Sequence, residues 1–308
     1  MVQADSLKRV VVVCGPTGSG KSDLALKLAK YLDTDIISAD SIAVFKGLNV
    51  GSAKPSEDDR AVVKHHLIDV LEPSEDFSVA EYKRLSRSVA DELIKNGKTP
   101  VVCGGTGYFI DALLFDKSYG NCPKDPVLRE KLKRLYDENG ADYLYSLLKE
   151  VDPESCSKLS KNDFLRVSRA LEIFYTTGVK KSDIVDDSAP VYDYIAFYID
   201  HDRDSLYKRI NERVDKMFEK GLIEEVRTLL AGGVSSSCQS MQGIGYKEIV
   251  EGLSLGRSEE EMKETVKRNT RRYAKRQITY FKRMNNLYAL QPESAFENAV
   301  EMVKKWME

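Results

Sequence analysis

The chain has 308 residues, 42% of them apolar, with 47 basic against 49 acidic side chains and a formal charge of −2. This is enough for a real hydrophobic core, in one large domain or a domain carrying an insertion. No apolar run approaches the roughly 20 residues needed to span a bilayer, and the N-terminus runs into the first strand without a cleavable signal, so the expectation is a cytoplasmic protein with no membrane partner. The five cysteines (Cys14, Cys103, Cys122, Cys156, Cys238) are scattered and contain no C-x-x-C pair, which indicates neither a disulfide framework nor a zinc site.

In chain order, "RVVVVC" is a continuous β-branched run, and "SDLALKLAKYL" after it has apolar residues at helical spacing. "TDIISAD" predicts a second buried strand ending at Asp40. The segment from Ser41 to Asp76 reads as loop, and "SVAEYKRLSRSVADELIKNG" as an amphipathic helix capped by Ser78. "KTPVVCGGTG" is a third buried strand entering a glycine turn. Strands alternating with helices imply an α/β fold with a parallel sheet flanked by helices. From about 116 to 190 the pattern becomes helical, including "DPVLREKLKRLYDENG" and "NDFLRVSRALEIFYTTG", which predicts a mostly helical insertion into a core formed by 1–115 and 191–308. A strand, "VYDYIAFYID", then returns before further helices.

Between these elements, Gly15, Pro16, Thr17, Gly18, Ser19, Gly20, Lys21 and Ser22 have the spacing of a phosphate-binding P-loop. Backbone N–H groups of Gly18 to Lys21 and the helix N-terminus would cradle an anion, Lys21 would neutralise charge, and Ser22 could ligate Mg2+. A P-loop ATPase usually has an aspartate at the end of a neighbouring strand, but "PVVCGGTG" ends in glycines and Thr106. The acid follows the second strand instead. Asp40, at the carboxyl edge where α/β proteins bind ligands, is suited to accept a proton from a nucleophile, or is simply a strand-end turn residue. Arg166 and Arg169 share one helical face, as a solvated basic face would. The run 263–283 carries nine basic residues and one acid, Glu264. There Lys267, Arg271 and Lys275 step by four, as do Arg268, Arg272 and Arg276, while Met262, Val266, Tyr273 and Tyr280 could form the buried side. Such a helix suits a nucleic-acid backbone. His65, His66 and His201 show no metal-ligand spacing.

Together, "GPTGSGKS", "IISADS", "GSAKP", "HHLID", "GGTGYF", "NDFLRVSRALE", "MQGIGYKE" and "TRRYAKRQITYF" resemble, in order, the motifs of tRNA dimethylallyltransferases, also called tRNA isopentenyltransferases, over about residues 10 to 285. The resemblance implies a P-loop NTPase-like core with a helical insertion that grips the anticodon stem-loop, and transfer of a prenyl group from dimethylallyl diphosphate to the N6 amine of adenosine 37 in tRNA, with Mg2+. It implies that the P-loop holds a diphosphate leaving group, helped by Thr106 and Arg129 and more weakly by Arg209 and Arg213, and that Asp40 is the base. It further implies tRNA contacts at Ser41, Ile42 and Ala43, at Leu165, Arg166, Val167, Ser168 and Arg169, and at Gln242, Gly243, Ile244, Gly245, Tyr246 and Lys247. Arg271, Arg272, Lys275 and Arg276 join these from the basic helix, and the chain is expected to act as a monomer.

Four positions depart from the family pattern: Ala43 and Leu165 stand where glutamine is frequent, Ser52 where threonine is usual and Tyr280 where tryptophan is frequent. The competing expectations are an adenylate isopentenyltransferase acting on free AMP, ADP or ATP, a P-loop small-molecule kinase and a non-enzymatic RNA-binding module.

Overall fold

The computed structural model describes residues 8–117, 122, 124–184 and 189–308. The chain divides into two compact units, Met1–Phe115 with Pro190–Glu308, and Asp116–Ala189. Pro190 falls in the first unit because it forms an antiparallel bridge with Phe115, and Val191 N–H donates to Leu114 O at 2.8 Å.

The first unit is built on a parallel six-stranded sheet in the order β3-β2-β4-β1-β5-β6. β1 (Arg9–Cys14) is its centre. Val10, Val11, Val12 and Val13 are all fully buried, as a run of β-branched side chains covered on both faces requires. The phosphate loop leads into α1 (Lys21–Tyr31), and β2 (Ile36–Ser38) follows. The segment read from sequence as loop contains two short elements, α2 (Glu57–Val62) and β3 (His65–His66). The first is nucleated by a capping box between Ser56 and Asp59, and the second exists only through pairing of Ile36 with His65 and Ile37 with His66. The histidine pair is structural: His66 Nε2 lies 2.8 Å from Asp35 Oδ2 and His65 Nδ1 2.8 Å from Val63 O.

α3 (Val79–Lys95) starts at Ser78, whose hydroxyl accepts from Glu81 N–H while the Glu81 carboxylate reaches back. β4 (Val101–Gly104) and α4 (Gly107–Leu114) follow. Tyr82 of α3 stacks on Phe109 of α4 with ring centroids 4.1 Å apart, which locks these helices together.

In the second unit, α5 (Pro126–Val151) is two helical stretches separated by Gly140, whose φ of 83° lets the chain turn where a side chain would strain it. α6 (Pro153–Lys158) and α7 (Phe164–Thr177) complete this unit around Leu132, Leu144, Leu148, Val167, Ala170 and Leu171.

The chain returns to the sheet in β5 (Asp193–Ile199), then α8 (Arg203–Glu219), α9 (Leu222–Ala231), α10 (Tyr246–Ser254), α11 (Glu259–Phe281), β6 (Leu287–Leu290) and α12 (Ala295–Met307). α1 and α12 share the core on one sheet face, where Leu28, Phe197, Ala299 and Val303 meet. In α11 the buried seam is Met262, Val266, Thr270, Ala274, Gln277 and Phe281. Tyr273 and Tyr280, expected on that side, are only half-buried at its margins. Tyr280 turns its hydroxyl to Asp111 Oδ2 at 2.7 Å, a polar partner that draws the ring out of the seam. All strands run the same way, so the turns after β1, β2 and β4 meet at one edge of the sheet.

Candidate active site

The loop after β1 turns through Gly18 and Gly20, with φ of 80° and 87°, a conformation that glycine adopts without strain. Two of its carbonyls are held from outside: Arg209 Nε donates to Gly18 O at 2.8 Å, and His201 Nε2 lies 2.9 Å from Ser19 O. Lys21 lies back along the loop with Nζ 3.2 Å from Pro16 O. Burial lowers the Lys21 pKa, and Arg213 pushes the same way, while Cys103 and Asp40 oppose. The Ser19 hydroxyl is buried with no hydrogen-bond partner among the described residues. A half-buried ammonium and an orphaned hydroxyl on a loop of backbone donors form a site short of one anion.

The turns after β2 and β4 are zipped together. Ala39 N–H donates to Cys103 O at 2.7 Å, and Thr106 N–H to Ala39 O at 3.1 Å. A Cβ on Gly104 would collide with the Ala39 carbonyl, so glycine is what allows this approach. Ser41 N–H then donates to Thr106 Oγ1 at 3.2 Å. Asp40 Oδ1 accepts from Ile42 N–H at 2.8 Å and Ala43 N–H at 3.1 Å, which fixes the carboxylate plane. Its Oδ2 accepts no hydrogen bond among the described residues. Arg213 donates from Nη2 to Ser52 O at 3.2 Å, while its buried Nε has no partner among the described residues. Burial lowers the Arg213 pKa and the Asp40 charge opposes this, so the guanidinium too is short of negative charge.

Two cavities open at this edge. One of about 660 Å³ has Gly18, Gly20, Lys21, Ser22, Arg209 and Arg213 in its wall. The other, of about 350 Å³, is lined on its polar side by Thr17, Lys21, Asp40, Ser41 and Arg213 and on its apolar side by Ile42, Val214, Met217 and Val266. Lys21, Arg213 and Met217 line both. Tyr273 also faces the smaller cavity; burial and the Asp40 charge raise its hydroxyl to about 12, against a hydrogen bond with Thr106. Among the described residues no group of three His, Cys, Asp or Glu could hold a metal. Ser22, with Asp23 beside it in the larger cavity, offers the hard oxygens that a Mg2+ ion shared with a bound diphosphate would need.

Several residues expected at this site are placed otherwise. Ala43 is buried and serves Asp40 through its N–H. Gln242, Gly243, Ile244 and Gly245 do line the smaller cavity, but Tyr246 is fully buried and donates its hydroxyl to Glu225 Oε1 at 2.6 Å. Its ring supports the segment and cannot touch RNA. Lys247 is exposed, with Nζ 3.8 Å from Glu251 Oε1.

The basic face of α11 is split. Lys267 pairs with Asp215 of α8 at 2.8 Å and Arg271 donates to Asn211 at 2.6 Å, so these two residues of the row dock α8. Arg268, Arg272, Lys275 and Arg276 are exposed.

Within the helical unit, Leu165 is 76% exposed and Arg166 is exposed, whereas Val167 is core. Ser168 Oγ donates to Leu165 O at 3.3 Å. Arg129, expected at the diphosphate, gives Nε and Nη2 to the Glu172 carboxylate at 2.7 and 2.9 Å, and Arg169 donates to the same carboxylate at 2.6 Å. Burial alone would raise the Glu172 carboxyl, but these two guanidinium groups outweigh it and hold it down at about 2. The arrangement is an internal ion-pair cluster that the arginine spacing alone did not disclose. Gln277 and Glu225 were also not singled out from sequence; for Gln277 the available signal was an amide at an apolar position of a helical repeat.

A glycine-rich loop with a half-buried lysine, sharing a cavity wall with a fixed carboxylate, defines a P-loop α/β protein with room for an anion beside a hydrogen-bond acceptor. Comparison with known proteins gives the family. The family described as IPP transferase matches residues 43–284, and one described as isopentenyl transferase matches residues 8–72. A tRNA dimethylallyltransferase of Acetivibrio thermocellus is 42% identical over 301 residues, covering 97% of this chain and 96% of that protein. The solved structure of a tRNA isopentenylpyrophosphate transferase from Bacillus halodurans superposes with a TM-score of 0.70 at 35% identity, covering 97% of this chain and 95% of that one. A eukaryotic dimethylallyltransferase acting on tRNA superposes with a TM-score of 0.82 at 26% identity, over 97% of this chain and 79% of its own. The chain belongs to the IPP transferase family and is a prenyltransferase of the tRNA dimethylallyltransferase type.

Proposed function

We propose that this protein transfers a dimethylallyl group from dimethylallyl diphosphate to the N6 amine of adenosine 37 in tRNA, releasing diphosphate. The observation that carries this reading is the presence of Lys21 and Asp40 in the wall of one cavity of about 350 Å³, large enough for a purine and a five-carbon group. The phosphate loop, Arg209 and Arg213 receive the diphosphate. As the bond from carbon to the diphosphate oxygen breaks, Lys21 and the loop N–H groups stabilise the negative charge that collects on the leaving group. Ser22 would hold a Mg2+ ion, which would supply further charge neutralisation when bound.

The adenine amine is weakly nucleophilic because its lone pair is delocalised into the ring. Asp40 Oδ2 takes its proton as the bond from nitrogen to carbon forms, and Thr106 holds the Asp40–Ser41 turn in register. The adenine must leave its stack to enter the cavity. Gln242 and Ile244 meet it there, and in the helical unit Leu165, Arg166 and Ser168 contribute to holding the anticodon stem-loop. The protein acts as a monomer in the cytoplasm, and no helix among the described residues is long and apolar enough to cross a membrane.

The test is a transfer assay with labelled dimethylallyl diphosphate, offering an anticodon stem-loop and free AMP together. Label is expected in the stem-loop, and label confined to AMP would overturn the reading. The exposed row on α11 makes a separate prediction. Replacing Arg268, Arg272 and Arg276 together by alanine is expected to weaken tRNA binding and to reduce the slope of log affinity against log salt by about 2 to 3, at roughly 0.7–0.9 per lost phosphate contact. An unchanged slope would take this face off the RNA.

A further inference from the structure

We propose that Gln277 is a positioning residue for the transfer reaction, a buried amide clip that sets the spacing between the phosphate loop and the glycine turn carrying Thr106. The Gln277 side chain lies in the seam of α11, where its neighbours Ala274 and Phe281 are apolar. Its Oε1 accepts from Thr17 N–H at 3.0 Å, and its Nε2 donates to Gly105 O at 2.8 Å. The two backbone groups belong to different loops, one after β1 and one after β4, and no other side chain joins them among the described residues.

The bridge requires one acceptor and one donor on a single planar group, which among side chains of this length is glutamine. Leucine would leave two poorly solvated backbone groups without partners, and glutamate would set a carboxylate oxygen against the Gly105 carbonyl. A Cβ on Gly105 would collide with Gln277 Nε2, so the glycine is explained by the clip. The clip also consumes the Thr17 N–H. The donors left for a phosphate oxygen therefore begin at Gly18, and their distance from Thr106 and Asp40 is fixed through Gln277. Its amide lines the cavity of about 350 Å³, so the spacing it sets is that of the reacting groups.

The inference rests on the proposed transfer reaction for its catalytic meaning, and the test separates the two. Gln277→Leu and Gln277→Glu are compared with the wild type for binding of inorganic pyrophosphate with Mg2+ by calorimetry, for stem-loop affinity, for kcat and KM in the transfer assay, and for thermal unfolding. Gln277→Glu keeps an acceptor for Thr17 and removes the donor to Gly105, and it carries the test alone if Gln277→Leu does not fold. Pyrophosphate affinity is expected to fall at least fivefold and kcat about 10²-fold, the usual penalty for ångström-scale misplacement, with stem-loop affinity within twofold. A folded variant that binds pyrophosphate as the wild type does overturns the proposal. Pyrophosphate binding needs no tRNA, so a wild type that binds it yet never labels the stem-loop would count against the proposed function alone, and the pyrophosphate comparison would still decide the clip.

Discussion

Replacing Asp40 by asparagine is expected to lower kcat for prenyl transfer by about 10²–10⁴-fold, the range supplied by a positioned general base, while stem-loop affinity stays within a few-fold. Asparagine is the informative choice because Asp40 Oδ1 has a structural task. It accepts from Ile42 and Ala43 N–H groups, and the asparagine carbonyl can do the same. Alanine would remove the base and release the turn together, mixing a chemical loss with a positional one. Single-turnover rates at saturating tRNA and donor measure the effect. Activity of Asp40→Asn near that of the wild type would remove the general-base assignment and leave Asp40 as a turn residue.

Lys21→Met is expected to reduce kcat/KM for the diphosphate donor by about 10²–10³-fold, comparable to loss of one preorganised donor at a developing anion. The wild type should also show an alkaline limb in donor binding. Burial lowers the Lys21 pKa, so in the free protein the ammonium is lost at a lower pH than a solvent-exposed lysine would lose it. Affinity for pyrophosphate therefore falls as pH rises through that lowered value. Titration of pyrophosphate binding against pH checks the sign, and a flat profile up to the range of free lysine would contradict it. Lys21→Met should lack the limb altogether.

The two variants probe the two sides of one cavity, and the local sequences that build those sides differ in how legible they are. "GPTGSGKS" between a valine strand and an amphipathic helix declares an anion loop because each residue acts through its own backbone or its own charge. Ser78 declares a helix start for the same reason, since the groups that bond, its hydroxyl and Glu81 N–H, are three residues apart. Asp40 was legible as a carboxylate at a strand end, but its acceptor geometry was not, since that depends on the turn that Thr106 fixes from another strand. Arg129 and Arg169 show the opposite case. Arg169 meets Glu172 three residues on in the same helix, and the packing of α7 beside α5 is what brings Arg129 to that carboxylate as well. The basic stretch of α11 divides as well, because Asp215 and Asn211 on α8 claim Lys267 and Arg271 from one of its rows.

By itself the sequence determined the α/β class, the phosphate loop, the position of the helical segment and, through eight ordered motifs, the family to which the chain belongs. These follow from properties carried by contiguous residues: periodicity, capping spacing, glycine content and local charge. Only the tertiary structure decided which charges are free to meet a substrate and which are already paired, that Tyr246 supports the site from within, and that Gln277 ties the phosphate loop to the turn after β4. Those facts depend on hydrogen bonds and ion pairs between residues far apart in the chain, such as the 260 positions separating Gln277 from Thr17. A carboxylate or amide has the same sequence signature whether its partner is water or a buried backbone group, and folding is what chooses between them.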